Sequence, residues 1–359
     1  MHITEFLQAV RWVGLHAAWE ALRFAWLRDR WEAQNNHTAP AARTTPGDVV
    51  RVEQRPQGAV FIFEHAQLSL DFLSNWALRA TWTPGDPPAP YSLAHVPDPP
   101  PHVELERRET RWHLSTPEIS AQVDQEGGLS LFSALDELLE ELPPPVRTGE
   151  AWVQRAELQL EARVFGLGER AAPLNLRPGR YRLWNTDVGG AYGPGDDPLY
   201  LSAPIYMCLH AHGGYLLYFE NPHDGRVELG DHAEFDFAGG RLQYVFIAGD
   251  PPSALQRLSR LIGHPAMPPR WALGFHQSRW GYTNEDDVME IIEGFERHDL
   301  PLSALHLDID YMRGYRVFTI DRDRFPDLAG LSEACMRRLG ARLVAIIDPG
   351  VKIDRSYDV

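Results

Sequence analysis

Three short apolar runs, at residues 271–276, 304–309 and 342–347, alternate with two stretches of helical periodicity in the C-terminal part of the chain. The first stretch begins at Asn284, a residue type that caps helices, and repeats apolar residues at i, i+3, i+4 and i+7. The second stretch ends at Gly340. Successive runs begin about 30–40 residues apart, the length that a strand–helix–strand unit needs. This part of the chain is therefore restricted to a parallel sheet covered by helices.

The second and third apolar runs end in carboxylates: Asp308 and Asp310 follow the second run, and Asp348 follows the third. Because strand residues i and i+2 share a face, we expect Asp308 and Asp310 on one side of the strand end. Buried carboxylates without partners are unfavourable, so two of them together indicate a binding site. Such sites lie at the carboxyl ends of the strands in (β/α)8 barrels. A doubly wound sheet shares the pattern, but no Gly-rich phosphate loop follows the first run.

The preceding part of the chain, from about residue 49 to 249, has a different pattern. Short alternating or apolar runs are separated by clusters of Pro, Gly, Asp and Asn, which predicts an antiparallel β-sandwich. A helical insert is expected at residues 131–142, and Asp250 before two prolines predicts a helix that continues to about Ile262. The expected organisation is an N-terminal helix at 1–34, a sandwich domain at 48–250, a linker with a helix at 251–269, and part of a barrel with its first three strands at 270–359. A linker is expected at 35–48, and the Pro-rich segments at 87–90 and 97–101 are expected to be loops or sheet edges.

The N-terminal region, residues 6–31, is rich in Trp and Leu and is interrupted by charges, which predicts an amphipathic helix. We favour a helix packed on the body of the protein or on a partner subunit. A helix lying on a membrane surface would carry a basic polar face, and this one is mixed in charge. No run of about 20 apolar residues and no uninterrupted signal sequence is present. We therefore expect no membrane partner.

The net charge of −16 disfavours nucleic acid or an anionic membrane as a partner. The hydrophobic content of 44% indicates a globular protein with a sizeable core. The two cysteines, Cys208 and Cys335, match neither a disulfide framework nor a metal motif. We expect both to be buried thiols, no bound metal, and a reducing, cytoplasmic location.

Several motifs in fixed order resemble glycoside hydrolase family 31, which contains α-glucosidases and α-xylosidases. In the C-terminal part they are residues 274–282 (GFHQSRWGY), 307–312 (LDIDYM), 318–327 (FTIDRDRFPD) and 346–351 (IIDPGV). In the N-terminal part they are residues 165–170 (FGLGER), 184–187 (WNTD) and 202–206 (SAPIY). The resemblance covers roughly residues 50–359 and leaves out the N-terminal helix.

The resemblance implies a galactose-mutarotase-like β-sandwich followed by the first three βα units of a (β/α)8 barrel. It also implies a retaining mechanism at an α-glycosidic bond, without a cofactor, which needs two carboxyl groups about 5 Å apart. In the family the nucleophile lies in a Trp-x-Asp-Met-Asn-Glu type motif on a later strand, and this sequence has no such motif. The nucleophile and the acid/base are therefore expected after Val359, and the chain alone is expected to be inactive.

The resemblance assigns substrate-binding roles to residues of both parts. Asp308 matches an acceptor for sugar hydroxyls, a role that suits a carboxylate because its hydrogen bonds are charge-assisted. Trp280 matches an aromatic residue that lines the same subsite, and Asp187 matches a residue of the sandwich loop that reaches the leaving-group sugar. The remaining candidates are the apolar walls Ile309 and Ile347 and the second binders Asp310 and Asp348.

Each candidate has a structural alternative. Asp308 would pair with Arg279, Asp310 would orient loops, and Asp348 would brace a loop before Pro349. Trp280 would be a core residue, and Asp187 would serve only its local turn. His276 is interpreted as a core residue or one that supports the site, in preference to a base.

Two hypotheses compete with the N-terminal portion of a hydrolase. In one, the chain is a non-catalytic carbohydrate-binding or scaffold protein. In the other, a separate C-terminal polypeptide complements the barrel. The expected partners are an oligosaccharide or glycoside, together with either a second copy of the chain or that complementing polypeptide.

Overall fold

The computed structural model describes residues 15–35, 42–87, 101–189, 192–351 and 357. The described residues form two compact units, which are divided in the sequence between His264 and Pro265. Three predicted segments lie partly outside these ranges: the segment at 97–101 except residue 101, the segment at 87–90 except residue 87, and the first part of the N-terminal helix. No helix in the described ranges has the length and apolar character needed to cross a membrane.

The first unit begins with helix α1 (Leu15–Asn35), in which the described Trp, Leu and Phe side chains are exposed. Trp19 and Trp26 are more than half exposed, and the guanidinium groups of Arg23 and Arg30 lie over their rings at 5.5 and 5.3 Å from the centroids. Phe24 is 70% exposed. The expected packing of this helix on the body of the protein is therefore not observed for these side chains.

Strands β1 to β19 make up most of the first unit. In chain order they are β1 (Arg43–Thr44), β2 (Val49–Arg55), β3 (Gly58–Phe63), β4 (Gln67–Ser74), β5 (Ala77–Thr83), β6 (Glu104–Arg108), β7 (Arg111–Ser115), β8 (Ile119–Val123), β9 (Leu129–Ser133), β10 (Leu138–Leu142), β11 (Val146–Thr148), β12 (Ala151–Glu157), β13 (Arg163–Gly168), β14 (Gly179–Leu183), β15 (Ser202–His210), β16 (Gly213–Phe219), β17 (Gly225–Leu229), β18 (His232–Phe237) and β19 (Leu242–Ala248).

These strands form two antiparallel sheets. The first sheet has the order β14–β17–β18–β12–β10–β9–β8–β7–β6, with β11 paired to β12 and β1 paired to β11. The second sheet has the order β13–β15–β16–β19–β5–β4–β3–β2. The β-sandwich predicted from the turn-punctuated sequence is confirmed. The short strand β1 lies within the expected linker at 35–48, of which residues 36–41 are outside the described ranges.

The core of the first unit lies between the two sheets. Burial alternates along β8, where Ile119, Ala121 and Val123 are buried. Strand β19 is buried at every position because helix α2 (Pro251–Ile262) covers the outer face of its sheet. Helix α2 begins as predicted, with the Asp250 carboxylate accepting a hydrogen bond from the Ser253 amide at 3.1 Å. Complete burial of each Leu or Ile on these faces contributes about 1.5–3 kcal/mol.

The helical insert expected at residues 131–142 was wrong. This segment is a hairpin of β9 and β10, in which Leu142 lies opposite Leu129. The hydroxyl of Ser133 accepts hydrogen bonds from the turn, and Asp136 adopts a left-handed conformation with φ of 60°. The flanking strands β8 and β12 supply backbone partners on both sides, so pairing overrides the local helical spacing.

The second unit follows a strand–helix–strand–helix–strand order. Its elements are β20 (His276–Gln277), α3 (Glu285–Arg297), β21 (Ala304–Leu307), α4 (Leu328–Leu339) and β22 (Arg342–Ala345), with short 3-10 helices at Arg270–Leu273, Ile309–Tyr311 and Arg313–Tyr315. The three strands are parallel, in the order β20–β21–β22. Val288 and Ile292 of α3 and Leu331 of α4 are buried against β21. The parallel sheet covered by helices, and with it the predicted fold class, is confirmed.

All three strands of this sheet are shorter than predicted, and the third, β22, ends at Ala345 instead of Ile347. The first expected strand, residues 271–276, begins with the 3-10 helix, in which the Gly274 amide donates to the carbonyl of Trp271 at 3.2 Å. The ladder is therefore restricted to His276–Gln277. Strand β21 ends at Leu307, and Asp310 lies inside the next 3-10 helix. The prediction that Asp308 and Asp310 lie on one face of a strand is therefore wrong, because β21 ends before both residues.

Candidate functional site

Asp308 lies where β21 ends. Leu305 and Leu307 are buried in the core and fix the strand. Asp308 caps the following 3-10 helix, and one of its carboxylate oxygens accepts a hydrogen bond from the Ile309 amide at 2.7 Å. The Tyr311 hydroxyl donates to the carbonyl of Ile346 at 2.9 Å and joins this turn to the segment after β22. Among the described residues the other oxygen of Asp308 accepts no hydrogen bond, so it is open to a donor on a ligand.

The structural alternative for Asp308 was an ion pair with Arg279. Arg279 instead lies over the ring of Tyr282, 4.6 Å from its centroid. In the described part of the chain no ion pair joins Arg279 to Asp308. The Asp308 carboxylate is thus oriented by a backbone amide and not neutralised by that cation.

Asp310 is engaged by groups of its own loop region. Its carboxylate lies 3.7 Å from the guanidinium of Arg324, and the Tyr315 hydroxyl donates to it at 3.5 Å. Arg324 also binds Asp321 at 3.0 Å and the carbonyl of Met312 at 3.2 Å. Gly281 lies against the same carboxylate, since a Cβ placed on it would be 3.0 Å from the Asp310 Cγ. These contacts are those of a carboxylate that orients loops.

The apolar candidates follow the carboxyl ends of the three strands. Trp280 comes after β20 and is 71% exposed, so the alternative in which it is a core residue is wrong. Ile309, which comes after β21, is half-buried against the core, and Ile347, which comes after β22, is 56% exposed. Exposed aromatic and aliphatic side chains therefore stand at the same edge of the sheet as Asp308.

The other two carboxylate candidates have local surroundings. Asp348 follows Ile347 and is exposed. Asp187 belongs to the first unit, where it is exposed and accepts a hydrogen bond from the Gly189 amide at 2.8 Å, within its own turn. The structure therefore brings together the candidates that follow β20, β21 and β22, and it places Asp187 on the sandwich.

A pair of histidines lies on the strands that lead to this edge. His276 Nδ1 and His306 Nε2 are 3.1 Å apart, and His276 stacks on Trp271 with ring centroids 6.0 Å apart. Burial and the neighbouring His276 lower the pKa of His306. His276 is thus a satisfied residue that supports the strands, as interpreted from the sequence.

Four residues of this region were not singled out from the sequence: Gly281, His306, Tyr315 and Arg324. Gly281 and Arg324 belong to the quoted motifs, so the signal was present, but nothing in the sequence shows that both reach Asp310. Within the described ranges no group of three or more His, Cys, Asp or Glu side chains is arranged to hold a metal ion.

Two family models match the chain in sequence order. The glycosyl hydrolase 31 N-terminal galactose mutarotase-like domain matches residues 47–228. The glycosyl hydrolases family 31 TIM-barrel domain matches residues 265–359. The first match covers the sandwich from β2 into β17, and the second covers the unit that carries Asp308.

Curated relatives are similar to more than half of the chain. Alpha-glucosidase 2 of Bacillus thermoamyloliquefaciens is 41% identical over 197 residues, which is 54% of this chain and 25% of that protein. The alpha-glucosidase of Hordeum vulgare is 36% identical over 201 residues, 54% of this chain and 22% of the relative. The alpha-glucosidase of Saccharolobus solfataricus is 30% identical over 218 residues, which is 59% of this chain and 31% of the relative. The chain thus spans about a quarter of the length of the relatives it matches.

Solved structures agree with this fold. A family 31 dextranase of Flavobacterium johnsoniae superposes with a TM-score of 0.77 at 23% identity, over 84% of this chain and 38% of its own. A family 31 alpha-xylosidase from a soil metagenome superposes with a TM-score of 0.71 at 20% identity, over 83% of this chain and 47% of its own. With a sandwich and a strand–helix sheet that each match a family model, this chain belongs to glycosyl hydrolase family 31.

Proposed function

We propose that this chain is the N-terminal part of a retaining α-glycosidase that hydrolyses terminal α-glucosidic bonds. The observation that carries the proposal is Asp308, which stands at the carboxyl end of β21 and has one carboxylate oxygen that accepts no hydrogen bond from the described residues. The substrate class is supported by the relatives in bacteria, plants and archaea that are named alpha-glucosidases.

The residues at the sheet edge suit a sugar ligand. The Asp308 carboxylate would accept charge-assisted hydrogen bonds from sugar hydroxyls. The exposed ring of Trp280 would pack against the C–H face of the sugar, and Ile309 and Ile347 would form apolar walls. Binding of this kind needs no cofactor.

The retaining step requires a nucleophile and an acid/base about 5 Å apart. Asp310 is engaged by Arg324 and Tyr315, so we assign it to loop orientation and not to either role. We assign both catalytic carboxyl groups to later strands of the complete barrel, in agreement with the family pattern.

The test is to join the chain to the remaining strands of a family 31 barrel and to assay a chromogenic α-glucoside. We expect hydrolysis. NMR of the sugar that is first released should show that its anomeric configuration is retained. Asp308→Asn should lower kcat/KM roughly ten- to hundredfold, because a hydrogen bond to a charged group is worth about 1.5–3 kcal/mol.

The matched control is Asp323→Asn, which changes an exposed aspartate of the same unit and should leave kcat/KM unchanged. A completed protein that is inert on every α-glycoside would contradict the proposal.

We also propose a cytoplasmic location, which the buried free thiols of Cys208 and Cys335 favour. Assembly with a second copy of the chain or with a complementing barrel polypeptide is proposed as well.

A further inference from the structure

Glu140 is a carboxyl group inside the core of the first unit, and its residue is 1% exposed. It lies on β10 of the first sheet, whereas its two side-chain partners lie on β15 and β16 of the second sheet. The hydroxyl of Tyr206 donates to Glu140 Oε2 at 2.9 Å, and the hydroxyl of Tyr215 donates to the same oxygen. These hydrogen bonds cross the sandwich and join its two layers.

No cation neutralises this carboxyl group within the described ranges. Its other oxygen accepts a hydrogen bond from the Glu141 amide at 2.8 Å, and none of the ion pairs among the described residues includes it. The titratable groups that face it are Glu157 on β12, Tyr206 and Cys208 on β15, Tyr215 on β16 and Tyr244 on β19, with His210 of β15 next to Tyr215 at 6.1 Å between ring centroids. Glu141, the next residue on the same strand, is exposed and contacts Glu140 through its backbone amide.

Most of these neighbours are uncharged at neutral pH. Burial raises the pKa of both tyrosines well above the usual value and raises the pKa of the Cys208 thiol to about 12. Burial lowers the pKa of His210. An ionised Glu140 would therefore be a buried charge with dipoles but no counter-ion around it, which is strongly unfavourable.

A protonated Glu140 satisfies the same geometry. The hydroxyls of Tyr206 and Tyr215 are 3.3 Å apart, so the two tyrosines and the carboxyl group form a closed triangle. If Glu140 donates to one tyrosine, that tyrosine donates to the other, and the second donates back to the carboxyl group. Each of the three oxygens then donates once and accepts once.

We propose that Glu140 is protonated in the folded chain and that the Glu140–Tyr206–Tyr215 cluster is a pH-sensitive clamp between the two sheets. Burial raises the pKa of Glu140 to about 8 from 4.5, against the lowering effect of the two tyrosine hydrogen bonds. Because the folded state holds the proton more tightly, the contribution to stability is complete below about pH 4.5 and is lost as the pH rises through 8. The folding constant of the sandwich should fall roughly a thousandfold across this window.

Hydrogen exchange of the full chain tests the clamp, using the slowest amides of β10, β15 and β16, which report opening of the sandwich. Glu140→Gln keeps a donor and an acceptor but has no proton to lose. The protection ratio is the protection factor of the native chain divided by that of this variant at the same pH. We expect this ratio to fall at least a hundredfold between pH 5 and pH 9. Glu141→Gln, which changes the exposed neighbour on the same strand, should behave like the native chain.

Infrared spectroscopy gives a readout that does not depend on stability. The native chain and the Glu141→Gln variant should show the carbonyl band of a protonated carboxylic acid at pH 7, and this band should be lost with a midpoint near pH 8. Glu140→Gln should lack the band. Absence of the band from the native chain, or a protection ratio that does not change with pH, would overturn the proposal.

Discussion

Gly281 is the residue through which the loop after β20 reaches the carboxylate that follows β21. The Asp310 carboxylate occupies the space where a side chain at this position would begin. The same carboxylate meets Arg324 and Tyr315 on its other sides. The position of Trp280, which precedes Gly281, is therefore coupled to the conformation of Asp310 by direct contact.

Gly281→Ala should displace Asp310 and loosen its contacts with Arg324 and Tyr315. In the completed enzyme we expect kcat/KM to fall at least tenfold, because a small displacement of binding groups has large effects on rate. Gly294→Ala is the matched control, since a Cβ there meets nothing within 4 Å. It lies inside α3, where alanine is favoured over glycine by about 0.5–1 kcal/mol. Equal kinetics for the two variants would contradict the role given to Gly281.

At this scale the sequence predicts which residues stand at strand ends, but not what they contact. Asp308 was identified from an apolar run that ends in acids. The hydrogen bond that its carboxylate accepts from the Ile309 amide was not predicted, because this contact depends on where the strand ends. The contact of Asp310 with Arg324 joins residues separated by a loop whose path no local pattern encodes.

The helices of the second unit are fixed at their ends by side-chain caps. The Asn284 side chain accepts a hydrogen bond from the Asp287 amide at 3.0 Å at the start of α3, and Asp327 accepts one from the Gly330 amide at 2.9 Å at the start of α4. Helix α4 ends at Gly340, which adopts a left-handed conformation with φ of 67°. These caps set the lengths of the helices that cover the sheet.

Asn284→Ala should destabilise α3 by about 1 kcal/mol, because one amide of the first turn loses its acceptor. Hydrogen exchange should become faster for the amides of Glu285–Arg297 and remain unchanged in the sandwich strands. Asn284→Asp keeps an acceptor at the cap and should retain most of the protection. Loss of protection in the Asp variant equal to that in the Ala variant would show that the cap is not the cause.

Element prediction succeeded where local signals agree with the tertiary structure. Helix α2 was located from a capping Asp that precedes two prolines, and α3 from a capping Asn that precedes an apolar periodicity. At residues 131–142 the leucines recur at a helical spacing, yet Leu135 is 81% exposed and the segment is a hairpin. The strands on either side, which decide this outcome, are not visible in the local pattern.

At the scale of the whole molecule, the first unit is closed by pairing between distant parts of the chain. Strand β5 pairs with β19, so that Ala77 lies opposite Ile247 and Leu242 lies opposite Trp82. Helix α2, which follows β19 directly, then covers the second sheet. Without β19 this sheet would separate into β13–β15–β16 and β5–β4–β3–β2.

A fragment of residues 42–264 should therefore fold alone, whereas a fragment of residues 42–238 should not. The shorter fragment lacks β19 and α2 and leaves two apolar sheet edges unpaired. Slow amide exchange in β4 and β16 should be present in the first fragment and absent in the second. Equal protection in both would show that β19 is not required to close the sheet.

The pairing of β5 with β19 also has a consequence for synthesis on the ribosome. About 160 residues separate the two strands, and at roughly 5–20 residues per second their translation takes on the order of ten to thirty seconds. During this time the edge of β5 emerges without its partner and is open to pairing with other nascent chains. The speed of translation through this stretch, and any chaperone that shields the edge, would then set the yield of native sandwich.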